Sequence, residues 1–316
     1  MKTIISSTLP DIETYKVEEP KLEGNAIIFA NTRTQYFYPE HKTPNLFVAN
    51  FLNKGSYVIN KKRIEISDSY FYFLNANDDL EIRFSTTLPL QTLLIFFEEN
   101  FINDCFTYHI KSDERLLDSP NENLTIDFKF PTVPFSFINS IKKKTIQLAN
   151  GAINHKEDVN ALLFDIIAEF FILNDDTSAQ IKKINTIKKS TQEELYRRLF
   201  LAKEFMNDNV CEKLSIEQVS EKVCLNKFHF LSNFKRLYGI TPYQYFVELK
   251  LQKAYHLLKN NRQSVTETCF LLGFESLGSF SNSFKKDFRF PLRKHSIKIK
   301  FPTFDKSILF ADHNFA

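Results

Sequence analysis

The chain is poor in the residues by which catalytic and metal-bearing proteins usually declare themselves. Four cysteines occur in 316 residues, Cys105, Cys211, Cys224 and Cys269, and no two form a CxxC pair. Nothing therefore points to a redox dithiol, a zinc knuckle or a disulfide scaffold, and scattered thiols of this kind read as small buried hydrophobes. Glycine occurs only six times. No P-loop, Rossmann glycine pattern, nucleophile elbow or HExxH motif is present, so no enzyme and no cofactor is expected. His41 and His109 stand far apart and no HxH occurs, so no metal site is expected either. There is no run of 18 apolar residues, and the opening MKTIISSTLP lacks a basic region followed by a long apolar one. The expectation is a soluble cytoplasmic protein with no membrane partner.

What the chain does have is length, apolar content and an uneven distribution of charge. With 43% apolar and 25% charged residues it can hold two or three domains with cores of their own. Its net charge of +3 hides a division. Thr177 to Lys300 carries 23 Lys and Arg against 11 Asp and Glu, and the remainder carries 18 against 27. One part is thus strongly basic and suits a polyanion, whereas the other is acidic and would be repelled by the same partner. The 34 phenylalanines accompany a general richness in Ile, Asn and Lys and receive little functional weight.

From Gly24 to about Phe106 the pattern is one of short aromatic and β-branched runs: AIIFA, LFVANF, SYVI, RIEIS, SYFYFL, EIRF and TLLIFF. Turn residues separate them at Asn53-Lys54-Gly55, Asn60-Lys61-Lys62 and Asn75 to Asp79, which predicts a barrel or sandwich. Past Pro131 and Pro134 the period changes to about 3.6. One helix is predicted from about Phe135 to Ala149, and a second from about Lys156 to Leu173. On the second, Val159, Leu162, Leu163, Ile166, Ile167 and Phe170 form an apolar stripe. That stripe either pairs two subunits, the reading preferred at this point, or packs on its own barrel. The Lys-rich stretch from Asn174 to Ser190 reads as a linker, and Thr191 with Glu194 as a capping-box helix start. The resulting class is α+β, with boundaries at 1–130 for the β-rich part, 131–175 for the helical pair, 176–190 for the linker, 191–300 for an all-α basic domain and 301–316 for a tail.

The basic domain says the same thing twice. SIEQVSEKVCLNKFHFLSNFKRLYGITP runs from Ser215 to Pro242, and SVTETCFLLGFESLGSFSNSFKKDFRFP from Ser264 to Pro291. Each copy reads as a capped helix, a tight turn and a second helix ending in Phe-Lys and a further basic residue. Phe230, Phe234, Phe280 and Phe284 read as core, with small Ser220 and Cys269 where two helices cross. The residues left for solvent or a DNA groove are Asn226, Lys227, Phe228, Leu231, Ser232, Lys235 and Arg236 in the first copy. In the second they are Ser276, Leu277, Gly278, Ser279, Asn282, Lys285 and Lys286. Hydroxyls and amides can meet base edges, Phe228 and Leu231 can pack on thymine methyls, and the basic pairs suit phosphates. Gly239 and Pro242 mark a helix stop and the start of a rod of eighteen residues, roughly 27 Å at 1.5 Å each.

HFLSNFKRLYGITPYQYF and GFESLGSFSNSFKK resemble the double helix-turn-helix domain of the AraC family of bacterial transcription regulators, over about Leu195 to His295. The resemblance implies recognition helices at Asn226 to Tyr238 and Ser276 to Phe288, a linking helix at Pro242 to Lys259, and double-stranded DNA as partner. It further implies an activator more often than a repressor, a homodimer, and contact with RNA polymerase. The family often places Arg two residues before the buried Phe of each recognition helix, where this chain has Ser232 and Asn282, so strong guanine reading is not expected there. The second copy also departs at Arg289 and Pro291. NKGSYVINKKRIEISDSYFYFLN resembles, more weakly, the cupin-like sensing domains of the family, which implies a small-molecule effector in the barrel. The alternative is a ligand-free interaction module.

Overall fold

A computed structural model describes residues 3–10, 24–32, 35–84, 88–110, 129–150, 156–259 and 263–288. The chain divides into two compact units, Met1–Ala179 and Gln180–Ala316.

Among its described residues the first unit has ten strands: β1 (Ile4–Ser6), β2 (Ala26–Thr32), β3 (Tyr36–Thr43), β4 (Asn45–Leu52), β5 (Gly55–Ile59), β6 (Lys62–Ile66), β7 (Tyr70–Leu74), β8 (Asp78–Phe84), β9 (Leu90–Phe97) and β10 (Phe135–Ser136). They make a six-stranded sheet in the order β1-β2-β9-β4-β7-β10 and a four-stranded sheet in the order β3-β8-β5-β6. All seven runs singled out in the sequence are strands. The turns between them use residues that tolerate positive φ, namely Asn53 (62°), Asn60 (48°) and Asn77 (68°). Of barrel and sandwich, the sandwich describes the result: no strand pairing among the described residues closes the two sheets into one barrel. Tyr57 on β5 crosses the gap between them, donating to Asn50 Oδ1 on β4 at 3.0 Å and sharing a hydrogen bond with the Thr92 hydroxyl of β9 at 2.8 Å. Burial pushes this phenol well above its ordinary pKa, so it stays neutral and serves as a polar tie.

Among the described residues three helices accompany the sheets: α1 (Glu99–Ile110), α2 (Asn139–Ala149) and α3 (Lys156–Lys182). Strand β7 is buried at all five positions, as expected of a strand covered on both faces. Phe71 and Phe73 point from it toward α3, where Phe170 stacks on Phe73 at 4.2 Å between ring centroids. Lys144 of α2 reaches Glu169 of α3 at 2.5 Å.

The structure corrects several expectations here. The stretch after Leu173 is helical for much of its length, since α3 continues to Lys182 and the next helix begins at Lys189, and the division between the two units falls within it at Ala179 and Gln180. Phe135 and Ser136 are not the start of a helix but pair with Phe71 and Tyr70 as a strand, so α2 begins at Asn139. Residues 99–110, within the stretch read as β-rich, form α1. Strands β1 and β3 were not marked by any run. Strand β3 carries Pro39, which an edge strand paired only to β8 accepts because a bulge between Tyr38 and His41 breaks the ladder there.

Among its described residues the second unit contains six further helices: α4 (Lys189–Asp208), α5 (Ile216–Lys222), α6 (Lys227–Tyr238), α7 (Pro242–Lys259), α8 (Val265–Leu271) and α9 (Leu277–Phe288). Thr191 and Glu194 do not cap α4, whose N-cap is Lys188 with no side-chain bond. Glu194 instead holds Arg197 and Arg198, at 2.8 and 2.9 Å. Arg289, Pro291 and the tail from 301 to 316 lie outside the described residues.

Candidate nucleic-acid interface

Each copy of the repeat folds as two helices joined by a turn, and the same local devices recur in both. Ser215 caps α5 in a full capping box: its hydroxyl accepts from the Gln218 amide at 3.1 Å, and the Gln218 side chain accepts from the Ser215 N–H at 2.8 Å. Ser264 and Glu267 repeat the box at the head of α8 at 3.2 and 2.8 Å. The turn after α5 is closed by Cys224 N–H to the Glu221 carbonyl and Leu225 N–H to the Ser220 carbonyl. The turn after α8 has the equivalent bonds, Gly273 to Phe270 and Phe274 to Cys269. It is then one residue longer, since Asn226 caps α6 and the matching cap before α9, Ser276, lies fifty residues on rather than forty-nine.

Packing fixes which face of each second helix turns outward. Phe230, Asn233, Phe234 and Leu237 recur at i, i+3, i+4 and i+7 and are buried. Phe280 and Phe284 are fully buried in a cluster with Leu251, Ala254, Leu258, Cys269 and Leu272. Each Phe so buried contributes roughly 2–3 kcal/mol. Helix α7 joins the copies. Thr241 caps it with Gln244 as reciprocal partner, and its Tyr245 hydroxyl donates to Asn207 Oδ1 of α4 at 2.6 Å. Lys250 of α7 is buried, with Nζ donating to the Glu212 carbonyl at 3.2 Å and lying 4.6 Å from the Phe246 ring centroid. Burial holds this ammonium below the usual lysine range.

Of the residues assigned to the groove from sequence, Asn226, Lys227, Phe228, Ser232, Lys235 and Arg236 are exposed, as are Ser276, Gly278, Ser279, Asn282, Lys285 and Lys286. Three have employment within the chain. Asn226 Oδ1 accepts from the Phe228 N–H at 2.9 Å and Ser276 Oγ accepts from the Ser279 N–H at 3.2 Å, so both cap their own helices. Lys227 is paired to Glu217 across the turn. Two others are withdrawn from the surface: Leu231 is half-buried, and half-buried Leu277 packs against the core cluster of the second copy. Sequence reading missed Glu217, Lys250 and Arg198, whose guanidinium donates to the Cys224 carbonyl at 2.7 Å. No local spacing announces a partner ten or twenty-six residues away.

The stripe expected to pair subunits is employed inside the first unit. Val159, Leu163, Ile166, Ile167 and Phe170 are at most 4% exposed and Leu162 is half-buried. Phe170 packs on Phe71 and Phe73 of β7, and Val159 lies beside Ile27, Phe29 and Leu148, as the packing alternative expects. Among the described residues no cluster of His, Cys, Asp and Glu suits a metal, and no helix is long and apolar enough to cross a membrane.

Residues 219–294 match the model of a helix-turn-helix domain family. Over 82 residues, 26% of this chain, the sequence is 34% identical to the MmsAB operon regulatory protein of Pseudomonas aeruginosa, of which it covers 27%. Over 109 residues, 34% of the chain, it is 31% identical to the HTH-type transcriptional activator RhaS of Escherichia coli, of which it covers 39%. The matched stretches thus span about a quarter to two-fifths of these relatives. Among solved structures, an AraC-type regulator from Chromobacterium violaceum is 28% identical over 30% of this chain and 84% of its own, with a TM-score of 0.29. ToxT from Vibrio cholerae is 12% identical over 83% and 93%, with a TM-score of 0.33. Both superpose too loosely to carry the assignment, which rests on the matched sequence and on the paired helix-turn-helix geometry. The C-terminal unit therefore carries a helix-turn-helix domain over residues 219–294, and the matched stretches lie in two bacterial regulatory proteins.

Proposed function

We propose that the chain is a sequence-specific DNA-binding transcription regulator that lays its two recognition helices, α6 and α9, into successive major grooves. The observation that carries this reading is the repetition of one outward face. Twice, a buried Phe pair turns a polar side outward and ends it in an exposed basic pair, Lys235 with Arg236 and Lys285 with Lys286. The joining helix of eighteen residues, roughly 27 Å, approaches the ~34 Å repeat of the duplex. Activation is the favoured direction, since RhaS is an activator by name. Cytoplasmic residence and contact with RNA polymerase belong to the same reading.

The test is the salt dependence of binding by the full chain to a duplex selected from random sequence. Affinity falls steeply with salt, and Lys235→Ala and Lys285→Ala each flatten the log–log slope by about 0.9. Unchanged slopes in both variants refute this assignment of faces.

For the first unit, a ligand-free module that serves protein contacts or pairing is favoured over an effector pocket. Its inter-sheet space holds the Tyr57, Asn50 and Thr92 network, and one recess among the described residues, lined by Ile27, Phe29, Leu148 and Val159, measures about 100 Å³. Effector sites usually exceed about 300 Å³. A homodimer would use some surface other than the occupied stripe on α3. A small molecule that co-purifies with the chain, or that raises its melting temperature, restores the sensor reading.

A further inference from the structure

With the copies aligned on their buried pairs, Phe230 with Phe280 and Phe234 with Phe284, the outward faces agree at one end and diverge at the other. The C-terminal turns match in charge. At the N-terminal turns, which in helix-turn-helix proteins meet the base edges, Phe228 stands against Gly278 and Ser232 against Asn282. The contrast is between a large aromatic ring and no side chain at all.

Neither residue is explained by its own fold. The Phe228 ring is 78% exposed at the first turn of α6 and so adds little to the core beneath it. Gly278 is the second residue of α9, where glycine is still a weaker helix former than alanine. It is not among the glycines with positive φ, and a Cβ placed on it meets no atom within 4 Å. Turn geometry and internal packing are thereby removed as reasons for glycine. What remains is an external surface that comes close to the backbone. The first two turns of α6 and α9 read KFHFLSNF and LGSFSNSF: they hold no arginine, and their one lysine, Lys227, is paired to Glu217, so neither of the usual readers of guanine is offered.

We infer that the two heads read chemically different half-sites, both rich in A·T pairs: the first sets Phe228 on thymine methyl groups, and the second draws α9 deep into the groove at Gly278 and pairs the Asn282 amide with adenine. The inference rests on the DNA-binding reading above and adds the kind of sequence bound, which lacks two-fold symmetry.

The experiment begins with duplexes selected by the full chain from random DNA. Two unlike half-sites with A·T at the contacted positions are expected. Replacing thymine by deoxyuridine, which removes only the methyl group, in the first half-site weakens binding about 5-fold or more, and does so no longer in Phe228→Ala. Gly278→Ala should unfold no earlier than the parent chain, because alanine favours the helix, yet bind about 10-fold more weakly. Asn282→Ala loses the preference for adenine in the second half-site. A G·C-rich or palindromic site, indifference to deoxyuridine, or full-strength binding by Gly278→Ala overturns the inference. If specific duplex binding survives those results, only this inference falls; if no duplex is selected at all, the DNA-binding reading falls with it.

Discussion

The first helix-turn-helix copy tolerates a residue that the second avoids, and the contrast separates what the motif requires from what each copy is free to vary. In both turns one residue must take the left-handed conformation so that the chain can reverse between helices. The second copy places Gly273 there at φ 71°, and the first places Cys224 at φ 53°. An L-residue in that region costs roughly 1–2 kcal/mol, which glycine avoids. The first copy offsets part of the cost with the bond from Arg198 to the Cys224 carbonyl. The buried Phe pairs, the capping boxes and the two turn bonds do not vary in this way, and they constitute the frame. The outward residues vary most, as reading surfaces that meet different sequences would.

If the frame is common, deleting its centre should hurt both copies alike. Phe234→Ala and Phe284→Ala each remove a fully buried ring, and each should cost about 3–5 kcal/mol. Urea unfolding of the full chain, followed by a probe in the C-terminal unit, measures this. A loss below about 1 kcal/mol in one variant only would show that the copies are not equivalent in packing.

The turn substitutions should run in opposite directions. Cys224→Gly relieves the left-handed strain and should stabilise by about 0.5–1 kcal/mol, after allowance for the extra freedom of glycine in the unfolded chain. Gly273→Ala should destabilise by at least about 1 kcal/mol. Its Cβ would lie 3.3 Å from the Lys250 Nζ, which the Glu212 carbonyl and the Phe246 ring hold in place. Equal signs for the two changes in thermal unfolding would contradict the reading of these turns as one geometry with two solutions.

How far the sequence disclosed all this depended on whether a feature was local. The period-two runs and the Asn-rich turns declared seven strands because alternation and positive φ are written within a few residues. The frame of the repeat was legible for the same reason, with Ser215 to Gln218 and Phe230 to Phe234 each spanning one helical turn. Long-range partners were not. The stripe on α3 looked like a face for a second subunit, since nothing in its spacing reveals the phenylalanines of β7 that meet Phe170. Residues 174–182 looked like a linker because their polarity is that of an exposed helix as much as of a coil. At the interface, exposure was legible but prior commitment was not: Lys227 belongs to an ion pair and Asn226 to a cap.

The capping boxes provide the smallest and most selective contrast between the copies. Both use Ser as the cap, but the reciprocal partner is the amide Gln218 in the first and the carboxylate Glu267 in the second. Hydrogen bonding from the Ser264 backbone, then from its side chain, holds the Glu267 carboxyl below its usual range. Its folded pKa is therefore lower than its unfolded one. The stabilisation is complete above the unfolded value and disappears as pH falls through the folded value. Acidification below about pH 4.5 should thus open the capping box of α8, whereas the box of α5 holds no carboxylate and acid reaches that helix only through Glu217, held below its usual range chiefly by Lys227. Hydrogen exchange at the Ser264 and Ser215 amides across pH 5 to 3 would show it as a loss of protection at Ser264 in excess of any at Ser215. Glu267→Gln should remove the difference, because an amide makes the same reciprocal bond without a proton to gain. If the excess loss at Ser264 persists in that variant, the acid sensitivity of the second copy originates elsewhere, and the two boxes are equivalent in spite of their chemistry.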